Sequence, residues 1–367
     1  MIDVPLSVLD VAPVAAAGSP AEALRHTTAL AVRADELGYR RFWVAEHHNT
    51  PWVASSAPAV LIAHLAASTS TIRVGSAVVS LTNHAPLAVA EQFGTLEALH
   101  PGRVDLGLGR TSGTDRVTAL ALRRTKEGLS AEKYPQELDD LIGYFTGREN
   151  RLRITAVPGL GNMPKIWLLG SGGFSAQLAG LLGLPFGFAH HFSAANTLPA
   201  LDLYRQSFRP SEYLDKPYAI VSVNTICADT DERAEYLAGP AMLSSVRIRA
   251  GRAELLASPE EAARYPYTPQ ERELARQRFE GQALGSPETV ARQLAELRKR
   301  TGADELMLTT QVYDIKDRIR SFELIAEQAA GQPGQGRLGV VGEDRDREAD
   351  LAAEGGRAPA GPVGPAE

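Results

Sequence analysis

Short runs of consecutive hydrophobic residues alternate along the chain with longer stretches whose hydrophobic residues recur at helical spacing. Near-continuous hydrophobic runs are typical of parallel strands covered on both faces, and the stretches between them predict the covering helices. The predicted strands are residues 6–11, 41–46, 72–81, 104–109, 165–169, 185–190, 218–227 and 305–310. The predicted helices are residues 19–38, 56–68, 86–99, 115–146, 174–183, 196–208, most of 229–300, and 314–330.

The first predicted helix has a defined beginning and end. Ser19 occupies the N-cap position, Pro20 the first helical position, and Glu22 follows three residues after the cap, which predicts a capping box. Gly38 is the residue type that most often ends a helix. A second Ser-Pro-Glu helix start occurs at residues 286–288.

The order of these elements favours one fold class. Eight strands, each followed by helix, predict an α/β fold, a single (β/α)₈ TIM barrel with helical and loop insertions over residues 1–330. A doubly wound open sheet is the alternative. It would need a G-x-G-x-x-G fingerprint directly after the first strand, and the segment VLDVAPVAAAGSP contains none.

The last 37 residues, 331–367, differ in composition from the rest of the chain. They contain no aromatic residue, nine glycines and four prolines. Such a segment cannot bury enough apolar surface to offset the entropy of ordering it. We therefore expect a disordered tail.

Charge and cysteine content exclude several classes of function. The net charge of −6 gives no basic surface for nucleic acid or an anionic membrane. The single cysteine, Cys227, excludes an internal disulfide and a cysteine-rich zinc site, which fits a reducing cytosol. No basic segment precedes the first hydrophobic run, so we expect a cytoplasmic protein.

One uncharged stretch, residues 166–189, has the length of a membrane span. Six glycines and Pro185 interrupt it, however. We expect it to fold as strand, glycine loop, helix and strand, and we expect no membrane association.

Polar residues that can carry chemistry follow the predicted strands, at the end of a barrel where active sites form. They are Glu46-His47-His48, Asn83-His84 and His190-His191. Adjacent strand residues point to opposite faces, so His47 and His48 do not easily hold one metal ion. No His-x-His pair is present either, and we expect no metal site.

The loop after the fifth predicted strand indicates a phosphate. Its candidate ligands are Gly170, Ser171, Gly172, Gly173 and Ser175. Glycines allow close backbone approach, and the helix that follows offers free N–H groups to an anion. Arg110, at the end of a neighbouring strand, supplies a countercharge. Because no Walker lysine follows the glycines, a phosphate on a cofactor fits better than a nucleoside triphosphate.

Three segments together resemble the luciferase-like flavin-dependent monooxygenases. They are WVAEHH, the block from Ile72 to Arg110, and IWLLGSGGFSAQLAGLLGLPFGFAHHF. The resemblance runs from about residue 4 to residue 329 and is strongest to single-chain members from bacterial secondary metabolism. Gly109 stands where the bacterial luciferases carry a cysteine, so light emission is not expected.

The resemblance implies a barrel that binds FMN, with the reduced flavin and O₂ forming a C4a-peroxide that oxygenates a small organic substrate. His47 falls on the catalytic histidine of the family, Arg110 on its phosphate-binding arginine, and Ser171 on its phosphate loop. Ser76 and Ala77 fall on the segment that abuts the flavin ring and often holds a non-prolyl cis peptide.

Other roles stay open at this point. Glu46 is either catalytic or a hydrogen-bond partner that orients His48, and His48 itself is a candidate substrate contact or a structural residue at the rim. Asn83, His84, His190 and His191 are candidate substrate contacts. An F420-dependent hydride-transfer enzyme and a non-catalytic flavin-binding protein are the alternative functions. The expected partners are an NAD(P)H:flavin reductase and a second copy in a homodimer.

Overall fold

Eight parallel strands form a closed barrel in the computed structural model of the chain. The structure describes residues 2–110, 115–123, 131–148, 153–252 and 254–330. The predicted tail, 331–367, lies outside the described residues. The strands are β1 (Leu6–Asp10), β2 (Arg41–Val44), β3 (Arg73–Ser76), β4 (Val79–Ser80), β5 (Val104–Gly109), β6 (Lys165–Gly170), β7 (Phe186–Phe188), β8 (Ala219–Cys227), β9 (Ala283–Gly285) and β10 (Glu305–Thr309).

The helices cover the outside of the barrel. They are α1 (Pro20–Glu36), α2 (Pro58–Ser68), α3 (Pro86–Leu99), α4 (Arg116–Arg123), α5 (Tyr134–Thr146), α6 (Gly173–Leu182), α7 (Thr197–Ser207), α8 (Asp231–Arg249), α9 (Pro259–Arg264), α10 (Pro269–Gln277), α11 (Pro287–Thr301) and α12 (Ile315–Ala330). Strand order around the barrel is β1-β2-β3-β5-β6-β7-β8-β10, and β10 pairs with β1 to close it. The predicted (β/α)₈ barrel is confirmed.

The predicted start of α1 is confirmed atom by atom. The Ser19 hydroxyl accepts from the Glu22 N–H at 3.2 Å, and the Glu22 carboxylate accepts from the Ser19 N–H at 2.9 Å. Gly38 follows the helix with φ of 79°, a conformation that glycine adopts without strain. At the second predicted start, Ser286 is the N-cap of α11 but makes no side-chain cap bond.

The predicted strand 72–81 is two strands, and the sequence prediction was wrong there. Val74 and Gly75 of β3 pair with Val104 and Asp105 of β5, whereas Val79 of β4 pairs with Leu108. From Gly75 to Val79 there are four residue steps, whereas from Asp105 to Leu108 there are three. One extra residue on the first strand is characteristic of a β-bulge. Hydrophobic pattern alone does not reveal an extra residue of this kind.

Two further boundaries differ from the prediction. Within the segment predicted as helical, 115–146, the described residues form two helices, α4 and α5, with a 3₁₀ turn at Ala131–Lys133 before α5. In the region predicted as mostly helical, Ala283–Gly285 forms the short strand β9. It pairs with the end of β8 and is not one of the eight strands of the barrel. Three residues are too few to show a strand pattern.

A buried ionic cluster lies at the amino-terminal end of the barrel, away from the expected site. Arg41 of β2 contacts Asp105 of β5 at 2.8 Å and Glu305 of β10 at 3.0 Å, and Arg73 contacts the other Asp105 oxygen at 2.8 Å. Burial would raise the pKa of Asp105, but Arg41 and Arg73 hold that pKa well below its usual value. The cluster joins four strands, β2, β3, β5 and β10, at the end of the barrel where residues usually serve stability and not catalysis.

The uncharged stretch 166–189 folds as expected. It forms β6, the glycine loop, α6 and β7 within the barrel. Among the described residues, no helix combines the length and apolar character that crossing a bilayer requires.

Candidate active site

A cavity of about 560 Å³ opens at the carboxyl ends of the barrel strands. Its walls come from the loops after β2, β5, β6 and β7. Its floor is apolar and includes the side chains of Leu9, Trp43, Leu169, Ile220 and Met307. Such a floor excludes water and offers flat contact area to a ring system.

The loop between β6 and α6 forms an anion cradle on one wall. Gly172 is the N-cap of α6 with no side-chain cap, so the first N–H groups of the helix are free of intrahelical partners. A Cβ added at Gly172 would meet no atom within 4 Å, because the position faces open space. A Cβ at Gly170 would lie 2.9 Å from Ser175, which explains the tight folding of the loop. Ser171, Gly173 and Ser175 also line the cavity.

Arg110 faces this cradle from the end of β5. Its guanidinium lies 4.2 Å above the ring of Phe174 in α6. Within the described parts of the chain, no carboxylate oxygen comes within 4.0 Å of that guanidinium. An arginine held in place without an acidic partner is free to bind a phosphate.

These observations fit the phosphate of a flavin. The helix terminus, the open space beside Gly172 and the Arg110 guanidinium, which has no carboxylate partner among the described residues, meet on one wall of the cavity. The neighbouring floor is apolar and wide enough for a ring. The structure thus brings together the residues that the sequence predicted to bind a phosphate. All of them line the cavity: Gly170, Ser171, Gly172, Gly173, Ser175 and Arg110.

His47 and His48 occupy different environments. His47 lines the cavity, and its backbone N–H donates to the Ser55 carbonyl at 3.0 Å. His48 turns away from the cavity wall, and its Nε2 donates to Glu46 Oε1 at 2.9 Å. The strand β2 ends at Val44, so the side chains of successive residues still point to opposite sides beyond the regular strand.

Glu46 is the centre of a hydrogen-bond network. Its Oε1 accepts from His48 Nε2, Asn83 Nδ2 and His84 Nε2, each at 2.9 Å. Burial would raise the pKa of Glu46, but the hydrogen bonds from His84, Asn83 and His48 outweigh burial and lower it. The carboxylate therefore stays ionised and fixes two loops, those after β2 and β4, against each other.

Three of these residues form a group that could bind a metal ion, although the sequence predicted no metal site. The ligating atoms of Glu46, His48 and His84 all lie within 4.8 Å of one another, a grouping that could hold an ion. Nothing in the spacing along the sequence shows that His84 reaches Glu46, so this grouping was not predicted. In this structure the three groups are already paired by hydrogen bonds.

Ser76 and Ala77 differ in position. Ala77 lines the cavity, whereas Ser76 is fully buried and does not. The Ser76 hydroxyl accepts from the Gly107 N–H at 3.0 Å and donates to the Gly107 carbonyl at 3.1 Å. The Ser76 side chain thus joins β3 to β5 at the bulge. The cis peptide in the described chain is Val157–Pro158, so the non-prolyl cis peptide implied by resemblance is not found there.

The two histidines after β7 are both held in their neutral form. Burial lowers the pKa of His190, whose Nε2 donates to the Gly281 carbonyl at 2.9 Å, while its Nδ1 lies 2.7 Å from the Thr197 hydroxyl. Burial and the charge of Arg278 lower the pKa of His191 to about 3. His191 lines the cavity and His190 does not.

The tautomer of His191 follows from its partner. The Ser222 hydroxyl lies 2.7 Å from His191 Nδ1 and donates its only proton to the Phe188 carbonyl at 3.1 Å. With Ser222 donating to the Phe188 carbonyl, Nδ1 is the donor to Ser222, and Nε2 keeps its lone pair as an acceptor. Sequence analysis missed Ser222 because a serine inside a buried strand carries no distinguishing signal.

Comparison with known proteins decides the family. The model of the luciferase-like monooxygenase family matches residues 4–305. The chain belongs to this family. A protein of Bacillus subtilis (strain 168), YvbT, is 50% identical over 326 residues, covering 89% of this chain and 96% of that protein. A luciferase-like monooxygenase of Escherichia coli (strain K12) is 43% identical over 318 residues, covering 87% and 95%.

A more distant relative in the luciferase-like family carries a substrate in its name. The N-acetyl-S-alkylcysteine monooxygenase of Bacillus subtilis (strain 168) is 30% identical over 331 residues, covering 88% of this chain and 97% of that protein. Among solved structures, apo-MsnO8 is 39% identical, with a TM-score of 0.83 and coverage of 90% and 99%.

Two other solved structures share the fold alone. A type II Baeyer-Villiger monooxygenase from Pseudomonas putida in complex with FMN is 19% identical, with a TM-score of 0.66 and coverage of 90% and 98%. An F420-dependent secondary alcohol dehydrogenase is 12% identical, with a TM-score of 0.59 and coverage of 89% and 97%. Together with the family match, these confirm the resemblance read from the sequence.

Proposed function

We propose that the protein is a monooxygenase that uses reduced FMN and O₂ to oxygenate a small organic substrate. The observation that carries the proposal is the juxtaposition of a phosphate cradle, formed by Arg110 and the start of α6, with an apolar cavity floor. One oxygen atom goes to the substrate and the other to water, while reduced flavin supplies the two electrons.

The residues of the chain have distinct tasks in this proposal. Arg110 and the first N–H groups of α6 bind the flavin phosphate. Leu9, Trp43 and Met307 keep water from the ring and the reacting oxygen. His47, on the cavity wall, holds and passes a proton near neutral pH.

Glu46 acts in this scheme through position. Its buried carboxylate holds His48, Asn83 and His84, and thereby the loop that presents His47. His191 Nε2 accepts a hydrogen bond from the substrate, because its pKa of about 3 keeps the ring neutral.

A second candidate is an F420-dependent hydride-transfer enzyme, since an F420-dependent dehydrogenase shares this fold. It would need no O₂. Titrating the protein with FMN and with F420, and measuring O₂ consumption with reduced FMN, separates the two. Binding of F420 with no affinity for FMN would contradict the proposal.

We further propose two partners. A separate NAD(P)H:flavin reductase supplies the reduced FMN, and a second copy of the chain completes a homodimer. Addition of a reductase and NADPH to protein and FMN should sustain turnover, and light scattering should give the mass of two chains. Thioether carboxylates are the first substrates to test, because N-acetyl-S-alkylcysteine is in the name of one relative.

A further inference from the structure

A second cavity, of about 210 Å³, lies beside the flavin cavity. His191 and Phe192 line both cavities and so lie between them. The outer wall of the second cavity comes from α8 and from the end of α10, which belong to the helical insertion after β8. A molecule in the flavin cavity could therefore extend past His191 into this space.

Arg278, directly after α10, is the unusual residue of this cavity. Its Nη1 donates to the His191 carbonyl at 3.2 Å and its Nη2 donates to Asn224 Oδ1 at 3.0 Å. Both acceptors are neutral. Burial alone lowers the pKa of Arg278, with no acid to offset that effect. Within the described chain, no carboxylate oxygen lies within 4.0 Å of its guanidinium.

Arg278 is half-buried, and an anion would offset the hydration that its charge has lost. A buried charge is stabilised by a partner of opposite sign, and neutral hydrogen bonds compensate only part of its lost hydration. A guanidinium has five N–H donors, and two of them account for the bonds above. Donors remain for one further acceptor group.

The other charges around the cavity also favour an anion. Arg249 lines it from the end of α8, and no carboxylate oxygen in the described chain lies within 4.0 Å of that guanidinium. Glu280 lines the cavity as an exposed side chain and forms no ion pair with either arginine. His190 and His191 stay neutral because burial lowers the pKa of each.

We propose that Arg278 binds a carboxylate of the substrate, with Arg249 adding positive charge, while the oxidisable part extends past His191 and Phe192 to the flavin. Phe192 is 71% exposed and offers the apolar contact for the linking carbons. The proposal names a substrate class, small apolar molecules with a terminal carboxylate, and it rests on the proposed monooxygenase function.

A purely structural role for Arg278 is the competing explanation, because its two hydrogen bonds also join the end of α10 to the loop after β7 and to β8. The test therefore compares a charged and a neutral ligand of the same shape. The probes are 4-(methylthio)butanoate and its amide, 4-(methylthio)butanamide. Their dissociation constants are measured by calorimetry on the FMN-loaded protein.

The variants are Arg278→Gln, Arg278→Lys and, as the matched control, Arg276→Gln, an exposed arginine of α10. The wild type should bind the acid at least about tenfold more tightly than the amide. Arg278→Gln should reduce that ratio to about one, Arg278→Lys should keep part of it, and Arg276→Gln should leave it unchanged. FMN affinity should be the same in all four proteins.

Equal binding of acid and amide by the wild type would overturn the proposal. So would a preference for the acid that survives Arg278→Gln, since Arg278 would then only join two segments. Failure of the proposed function looks different. In that case the protein does not bind FMN or does not oxygenate any substrate, whereas the ratio of acid to amide binding is still measurable on flavin-free protein.

Discussion

Replacing Arg110 by alanine should weaken FMN binding while sparing riboflavin, which lacks the phosphate. The Arg110 guanidinium stacks on Phe174 at 4.2 Å and has no carboxylate partner in the described chain, so its charge is available to the ligand. A hydrogen bond to a charged group contributes about 1.5–3 kcal/mol. That range corresponds to about 10- to 150-fold in dissociation constant. Partial solvent exposure of Arg110 favours the lower end.

Flavin fluorescence during titration gives both dissociation constants for wild type, Arg110→Ala and Arg110→Lys. The expected result is a loss of FMN affinity in Arg110→Ala, a smaller loss in Arg110→Lys, and unchanged riboflavin affinity in both. The comparison with riboflavin separates the phosphate contact from any change in the ring pocket. An unchanged ratio of FMN to riboflavin affinity in Arg110→Ala would remove Arg110 from the phosphate site.

Three further predictions concern the proton path, the Glu46 network and the barrel base. His47→Ala should bind FMN normally, but its turnover should fall by a factor of about 10²–10⁴ and it should release hydrogen peroxide. His48→Ala should have a smaller effect on both. If assays of peroxide and product show the larger effect in His48→Ala, the roles of the two histidines are reversed. Glu46→Gln should lower the free energy of unfolding by about 1–3 kcal/mol at pH 7. The pKa of Glu46 is lowered on folding from its usual 4.5, so this stabilisation is present above pH 4.5 and disappears as the pH falls through the folded value. Urea unfolding at several pH values checks it, and a pH-independent difference would contradict it. Arg41→Met should cost about 3–5 kcal/mol in denaturant unfolding, because it leaves Asp105 buried with less compensation; a loss under 1 kcal/mol would show that water or rearrangement replaces the arginine.

Features set by neighbouring residues were predictable from the sequence. The Ser19 capping box depends on residues three apart, and the glycine loop after β6 leads directly into its helix. The barrel followed from the repeated order of strand and helix. The capping box and the glycine loop involve residues close in sequence, and the barrel requires only that strand and helix alternate, so the pattern of residues indicates each of them.

Features that join distant segments were not predictable. The bond from His84 to Glu46 spans 38 residues, and the one from Arg278 to His191 spans 87. The bulge at Ser76 depends on the register between β3 and β5, which the hydrophobic pattern does not encode. Arg278 lies in an insertion of helices, where one arginine among many exposed ones gives no sign of burial.

In the proposed function, one atom of O₂ enters the substrate with electrons from reduced FMN. Mixing protein that carries chemically reduced FMN with ¹⁸O₂ and a set of thioether carboxylates that includes N-acetyl-S-methylcysteine, followed by mass spectrometry of the products, tests this directly. We expect a product that carries a single oxygen-18 atom, with the yield limited by reduced FMN. Full conversion of the O₂ to hydrogen peroxide across the set, or substrate oxidation that proceeds with F420 in the absence of O₂, would contradict it.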